Sequence, residues 1–237
     1  MTQSGTRKRV LAVVPAKGTS RRAPGKNMAP LAGLPMFCQS VRLALAAELI
    51  DEVLVSSDSE QILSIATQHG ARPIPRPPEL CSDEATNFQV LRHLLEVLRQ
   101  EEGTPELLVL LQPTTPFRTP VPLNQMVATM LAEPKADALV TVSRVTRVLG
   151  RIQHGYWLPD SMGEQNQRMK NAAQLFAISG HAFLVRPDRT LDQGSLLGSK
   201  VIAHPVPDAW LDIDVDTPED LVVARAVAAC YFKSHFP

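Results

Sequence analysis

Short runs of β-branched and aliphatic residues alternate with longer amphipathic segments along most of the chain. The apolar run 9–15 is followed by a helical pattern over 34–49, a second apolar run over 51–57 and a second helical pattern over 59–70. This alternation is typical of βαβ units, in which helices connect parallel strands and cover both faces of the sheet. The sequence therefore predicts an α/β protein with a mostly parallel central sheet.

Regular patterns continue to the end of the chain. Thr217, Pro218 and Asp220 supply an N-cap, a first-turn proline and a first-turn acid for a final helix. The other predicted elements are helices over 87–102 and 121–133 and strands over 106–113, 137–145, 173–180, 182–187 and 199–206.

The segment 144–172 interrupts this pattern. It has no sustained period and mixes glycine, proline and polar residues with Tyr156, Trp157 and Leu158. These three side chains would be poorly solvated at the tip of a disordered loop, so a lid or a subunit-contact arm is the better interpretation. We expect a single domain, residues 1–237, that carries this insertion.

Charge and cysteine content exclude several classes of function. The 24 basic and 24 acidic residues cancel, so no overall positive field attracts nucleic acid or an anionic membrane, and any anion site must be local. Three separated cysteines and six scattered histidines form neither a disulfide framework nor a zinc motif. No apolar run approaches a membrane span, and the first residues lack a signal peptide, so we expect a cytoplasmic protein.

The loop "AKGTSRRAPGKN", residues 16–27, carries four cations, Lys17, Arg21, Arg22 and Lys26. It follows the first strand directly. In an open parallel sheet, ligands bind beyond the carboxyl ends of the strands. Four cations alone would suggest a solvated basic turn, but their place at the end of the first strand favours phosphate binding.

This loop is not a known phosphate-binding fingerprint. Six residues separate Gly18 from Gly25 where a Walker loop has four, and Lys26 is followed by Asn27 rather than serine or threonine. The two glycines allow tight turns and a close approach of the backbone to a ligand.

A second candidate site follows the strand predicted over 106–113. Gln112 offers both donors and acceptors, enough to bind the edge of a base, and Pro113 and Pro116 stiffen its loop. The Pro-Thr-Thr-Pro sequence alone is equally typical of a plain turn.

A third candidate site is the acidic stretch "LDIDVDTPED". Strand alternation puts Asp212, Asp214 and Asp216 on one side of an extended segment, and closely placed carboxylates repel unless a cation lies between them. Such oxygen ligands suit Mg²⁺. Capping of the next helix accounts for Asp216, whereas it explains Asp212 and Asp214 less well.

These segments together resemble the sialic-acid-type cytidylyltransferases, or CMP-N-acylneuraminate synthetases. The loop 16–27 is similar to the family's A-R-x-x-S-K-G-x-x-x-K-N, and "RPPELCSDEATN" to its R-P-x-x-L-A-x-D-x-A-S. "VLVSSDSEQILSIATQHGA", "LLQPTTPFRT" and "LDIDVDTPEDL" also have counterparts in the family, in the same order. The resemblance covers nearly the whole chain.

The resemblance implies a three-layer, Rossmann-like nucleotide-diphospho-sugar transferase fold. Such enzymes are usually homodimers, and 144–172 would be the arm that reaches the partner. The implied reaction joins CMP from CTP to a nine-carbon 2-keto sugar acid and releases pyrophosphate.

The resemblance also implies roles for individual residues. Around the CTP phosphates and base it places Lys17, Ser20, Arg21, Lys26 and Asn27, of which Lys17, Arg21 and Lys26 would stabilise the leaving pyrophosphate. The remaining implied roles are Arg76 near the nucleotide, Gln112 near the ribose and the sugar, Asp212 and Asp214 as ligands of Mg²⁺, and Asp214 as a conceivable proton acceptor.

Departures from the family pattern leave more than one function open. Lys17 replaces the family's loop arginine, and Ser179-Gly180 replaces an Asn-Gly pair near the sugar pocket. Pro24 to Lys26 also resembles the loop of enzymes that activate 3-deoxy-manno-octulosonate. The sequence is further compatible with a metal-dependent glycosyltransferase or a non-catalytic nucleotide-binding relative, and the identity of the sugar acid stays open.

Overall fold

The structure of the chain, a computed structural model, describes residues 9–20, 23–145, 149–159, 175–206 and 212–235. Its strands are β1 (Val10–Pro15), β2 (Pro30–Leu31), β3 (Leu34–Pro35), β4 (Glu52–Ser57), β5 (Arg72–Pro75), β6 (Leu107–Leu110), β7 (Ala138–Arg144), β8 (Gly150–Gln153), β9 (Tyr156–Pro159), β10 (Phe176–Val185) and β11 (Val201–Pro205). Its α-helices are α1 (Met36–Leu45), α2 (Glu60–Gln68), α3 (Asn87–Glu101), α4 (Pro120–Ala132) and α5 (Pro218–His235).

Seven strands form the central sheet, in the order β11-β7-β10-β6-β1-β4-β5. The strand β1 pairs in parallel with β4 and β6, β4 with β5, and β7 with β11. The strand β10 runs antiparallel to both β6 and β7. The predicted, mostly parallel sheet is confirmed, and β10 brings its amino end to the edge where β6 and β7 end.

The two faces of the central sheet are each covered by helices, which gives a structure of three layers. Alternation along β1 sends Ala12 and Val14 to the face covered by α1, α2 and α4, and Leu11 and Val13 to the face covered by α3. An apolar stripe of α3 lies buried on that second face. It consists of Leu91, Leu94, Leu95 and Leu98.

Two sequence predictions are corrected, and one strand of the central sheet was missed. The helix expected over 34–49 is shorter at both ends, because Leu34–Pro35 pairs with Pro30–Leu31 and the helix gives way to turns after Leu45. The strands expected over 173–180 and 182–187 are one strand, β10, with a shift in register between Ile178 and Phe183. The edge strand β5 was not predicted, because two of its four residues are prolines, which sheets tolerate at edges.

The helix α5 packs on the carboxyl edge of the sheet. Ala224, Ala228 and Tyr231 form a third apolar cluster with Phe117 and Val215. The rings of Phe117 and Tyr231 meet edge to face with their centroids 5.3 Å apart. This cluster fixes the segment that precedes α5 against the loop after β6.

The predicted insertion 144–172 is described in part. Its residues 150–159 form the two-stranded hairpin of β8 and β9, and 146–148 and 160–172 lie outside the described residues. Ile152 and Tyr156 on this hairpin are 79% and 75% exposed. Within the described ranges, no helix is both long and apolar enough to span a membrane.

Arg186, directly after β10, is a buried cation that joins three elements. Its Nε donates to the carbonyl of Ala136 (3.1 Å) and its Nη2 to that of Met130 (2.6 Å), and Nη1 pairs with Glu106.

We predict that Arg186→Met lowers the free energy of unfolding by about 3 kcal/mol, because it removes one partner of a largely buried ion pair. Urea unfolding measures this change. The exposed Arg189→Met is the control, and equal midpoints for the two variants would contradict the prediction.

Candidate active site

The loop after β1 is docked on the end of β4. The backbone N–H of Gly18 donates to Asp58 Oδ1 at 2.6 Å. A Cβ on Gly18 would lie 2.8 Å from Cβ of Ser59, so this close approach requires glycine. Ser59 is itself the N-cap of α2 and accepts from the N–H of Ile62. The loop is therefore held at the carboxyl edge by a helix N-terminus and a carboxylate.

Lys17 and Ser20 line an open polar cavity at this edge. Its volume is about 310 Å³, and the wall is completed by Thr19, Cys81, Ser82 and Asp83. Lys17 Nζ pairs with Asp83 Oδ1 at 2.5 Å. Ser20 Oγ accepts from the N–H of Ala23 at 3.5 Å, and Arg21 lies outside the described residues.

Asn27 and Lys26, at the end of the loop, bind the start of the loop and the acidic segment respectively. The buried Asn27 donates from Nδ2 to the carbonyl of Lys17 at 2.7 Å, and within the described residues its buried Oδ1 has no hydrogen-bond partner. Lys26 Nζ donates to the carbonyl of Val215 at 3.0 Å and to Asp216 Oδ1 at 2.8 Å. Lys26 therefore ties the first loop to the acidic segment, 189 and 190 positions later in the chain.

Arg76 lies beside the same group of loops. Its Nε donates to Ser56 Oγ at 2.9 Å and its Nη2 to the carbonyl of Ser56 at 3.1 Å. Burial lowers the pKa of Arg76, and the nearby Asp58 carboxylate opposes that shift. An arginine remains charged at neutral pH, so a positive group stands at the end of β4.

Gln112 follows β6 and is half-buried. A Cβ added to Gly180 would lie 2.7 Å from Gln112 Oε1 and 2.9 Å from Thr115 Cγ2. The absence of a side chain at Gly180 therefore leaves the space in which the Gln112 amide lies.

The acidic segment crosses the carboxyl edge of the sheet. Asp212 accepts from Ser179 Oγ at 2.8 Å and from Ser143 Oγ, so it lies over the ends of β7 and β10. Farther along, the N–H of Val215 donates to the carbonyl of Thr114 at 2.8 Å in the loop after β6. Asp214 between them is exposed.

Asp212 is an ionised carboxylate. Its pKa is lowered to about 2 by the neighbouring His181 imidazole and by hydrogen bonds from Ser143 and Ser179, which together outweigh the opposing effect of burial. Within the described residues, no group of three or more histidine, cysteine or acidic side chains could hold a metal. Asp212 and Asp214 still fit Mg²⁺, which proteins commonly hold through one or two carboxylates together with water and substrate phosphates.

Sequence reasoning missed Arg118. This residue is 7% exposed, and its guanidinium donates to Ser40 Oγ (3.1 Å), to Thr115 Oγ1 (2.5 Å) and to the carbonyl of Gln112. Burial lowers the pKa of Arg118 to about 9. Arg118 shapes the loop that carries Gln112. Its signal in the sequence was a cation within an otherwise apolar and threonine-rich loop.

The candidate residues thus form two groups. Around the ends of β1, β4 and β5 lie the predicted nucleotide ligands Lys17, Ser20, Lys26, Asn27 and Arg76. Around the ends of β6, β7 and β10 lie Gln112, Asp212 and Asp214. The bonds of Lys26 to Val215 and Asp216 connect the groups. The result is a cationic recess beside an acidic and amide-bearing one.

Comparisons with known proteins identify the family of the chain. A sequence profile described as cytidylyltransferase matches residues 11–188. The chain is 28% identical over 217 residues to the CMP-N,N'-diacetyllegionaminic acid synthase of Legionella pneumophila, with 90% of this chain and 93% of that protein aligned. It is 33% identical over 224 residues to the N-acylneuraminate cytidylyltransferase of Escherichia coli, with 93% of this chain aligned and 52% of that protein, so it spans about half of that relative.

A solved structure has the same fold. The CMP:2-keto-3-deoxy-manno-octonic acid synthetase, solved in complex with CTP, superposes with a TM-score of 0.69 at 20% identity, covering 93% of this chain and 98% of that one. At that identity the likeness establishes the fold alone. The sequence match over three quarters of the chain establishes more: the chain belongs to the cytidylyltransferase family.

Proposed function

We propose that the protein transfers CMP from CTP to the anomeric hydroxyl of a nine-carbon 2-keto sugar acid of the sialic, legionaminic or related type and releases pyrophosphate. The observation that carries this proposal is the meeting of the cationic and the acidic groups at one edge of the sheet, joined by Lys26. The relatives named above support the substrate class, since both are enzymes of this type.

The cationic group provides for the nucleotide. Lys17, Arg21 and Lys26 neutralise the negative charge that accumulates on the leaving pyrophosphate, while Ser20, Asn27 and Arg76 orient the rest of CTP. The pairing of Lys17 with Asp83 indicates how the recess accommodates an anion: a triphosphate oxygen takes the place of the Asp83 carboxylate.

The acidic group provides for the acceptor. Gln112 binds the ribose and the sugar acid, so that the anomeric oxygen lies in line with the α-phosphorus. That oxygen forms the new bond to phosphorus, the bond from phosphorus to pyrophosphate breaks, and pyrophosphate leaves with the electron pair. The hydroxyl proton passes to a carboxylate, for which the exposed Asp214 is the candidate.

A divalent cation belongs to the proposal. Asp212 and Asp214 would hold Mg²⁺, which supplies charge neutralisation at the phosphate and lowers the pKa of a coordinated hydroxyl. Asp212 is suited to this role because it is ionised at neutral pH.

The working molecule is proposed to be a cytoplasmic homodimer. CTP is a cytoplasmic metabolite, and the hairpin of β8 and β9 exposes Ile152, Tyr156 and Trp157, an apolar surface of the kind that contacts another subunit.

The first test is pyrophosphate release. We expect release with CTP, Mg²⁺ and one member of a panel of nine-carbon acids that includes sialic, legionaminic and pseudaminic acids, and none with UTP, ATP or GTP. Release with 3-deoxy-manno-octulosonate alone would favour the enzyme class that activates this eight-carbon acid. If no acid gives pyrophosphate release while CTP still raises the melting temperature of the protein, a non-catalytic relative is favoured.

Lys17 tests the cationic recess. Removing one charged donor at such a transition state costs about 10²- to 10³-fold in rate, so Lys17→Ala should lower kcat/KM by that factor. Lys17→Arg keeps the charge and should retain most of the activity. Lys135→Ala, at an exposed position after α4, is the matched control. If Lys17→Ala has the same kcat/KM as the control variant, Lys17 does not belong to the site.

The hairpin tests the homodimer. Ile152→Glu places a charge on the exposed apolar surface of β8 and should shift the sedimentation coefficient from that of a dimer to that of a monomer. Val121→Glu, at another exposed apolar position on α4, should leave the dimer intact. A wild-type monomer, or an Ile152→Glu dimer, would contradict this part of the proposal.

A further inference from the structure

The register shift in β10 creates a bulge at residues 179–181. Thr141 on β7 secures it, since Thr141 Oγ1 donates to the carbonyl of Ser179 (3.0 Å) and accepts from the N–H of Ala182 (3.0 Å). Thr115 Oγ1 donates to the carbonyl of Gly180 at 2.7 Å. Bulges re-aim side chains next to functional sites, and this one is held by side chains from two neighbouring segments.

Side chains of the bulge and of β7 surround the carboxylate of Asp212. Ser179 Oγ donates to Oδ1 at 2.8 Å, Ser143 Oγ donates to Oδ2, and His181 Nδ1 lies 3.5 Å from Oδ1. Ser143, Ser179 and His181 are 9%, 1% and 5% exposed. Packing therefore fixes these side chains, and they in turn fix the orientation of Asp212.

The direction of the hydrogen bonds follows from donor counting. A serine hydroxyl has one proton, and Ser179 gives it to Asp212. The 2.5 Å contact between Ser179 Oγ and His181 Nδ1 must then have the imidazole as donor. The order is His181 to Ser179 to Asp212, which leaves Ser179 without a base. The three residues are not a hydrolytic triad, in which histidine accepts the serine proton.

The same bulge also positions the other acceptor-side residue. Gly180 makes room for the Gln112 side chain, because a Cβ there would meet Gln112 Oε1 at 2.7 Å. One irregular segment therefore lies against both Asp212 and Gln112.

We propose that Ser143, Ser179 and His181 are positioning residues for nucleotidyl transfer, which hold the Asp212 carboxylate in a fixed orientation toward the reacting groups. This inference rests on the proposed function. Removing hydrogen-bonding partners of this kind typically costs about 10- to 100-fold in activity or ion affinity.

The test begins with His181→Ala and Ser179→Ala. Each should lower kcat about 10- to 100-fold, while KM for CTP stays within about threefold, because the loop 16–27 is untouched. His181→Asn keeps an N–H donor near the position of Nδ1 and should recover most of kcat. One matched control is His204→Ala on β11, because His204 and His181 line a common cavity. The other is Ser195→Ala, because the Ser195 hydroxyl accepts hydrogen bonds within its own turn.

A second measurement separates positioning from a purely structural role. In an Asp212→Asn background, Ser179→Ala should cost less than about threefold in the residual rate, because its effect passes through a carboxylate that is already absent. CTP must raise the melting temperature of each variant, which shows that the fold and the nucleotide side are intact.

The outcomes are distinguishable. If the wild-type chain turns over and the Ser179→Ala and His181→Ala variants are equally active, the positioning role is overturned and the proposed function stands. Equal losses from Ser179→Ala with and without Asp212 would also overturn it. A wild-type chain that released no pyrophosphate with any acid would overturn the proposed function, and the positioning role with it.

Discussion

The bonds from Lys26 Nζ to the carbonyl of Val215 and to Asp216 are the contacts on which the candidate site depends. They join the loop after the first strand to a segment that crosses the carboxyl edge just before the last helix. The N–H of Val215 donates to the carbonyl of Thr114, so three loops meet at this one residue. The two bonds therefore fix the position of the cationic loop relative to the acidic segment.

The two groups are held in different ways. On the side proposed for the acceptor, the buried Ser143, Ser179, His181 and Arg118 fix Asp212 and the Gln112 loop. Such preorganised groups lose little reorganisation energy during a reaction. On the nucleotide side, Lys17 is paired with Asp83 beside an open cavity. In the proposed reaction a triphosphate oxygen replaces the Asp83 carboxylate as the partner of Lys17, and the carboxylate is left facing the open cavity.

Local patterns in the sequence predicted most strands of the sheet, the helices and the three loops of the site, because strand alternation and helical stripes depend on near neighbours. They missed the hydrogen-bond partners of Asp212, because Ser143 and Ser179 lie 69 and 33 positions away in the sequence. They also missed the bulge in β10. Its register is set by Thr141 and Thr115 on other elements, and no propensity of Ser179-Gly180-His181 encodes such contacts. Arg118 was missed because its sequence neighbours do not indicate that its side chain is buried.

Hydrogen–deuterium exchange with and without CTP tests the central claim most directly, namely that one nucleotide site spans both groups. The account predicts that CTP slows exchange together in the loop around residues 16–27 and in the segment around residues 212–217, since Lys26 joins them. Protection of the first loop alone, or of neither segment while CTP binds, would contradict it.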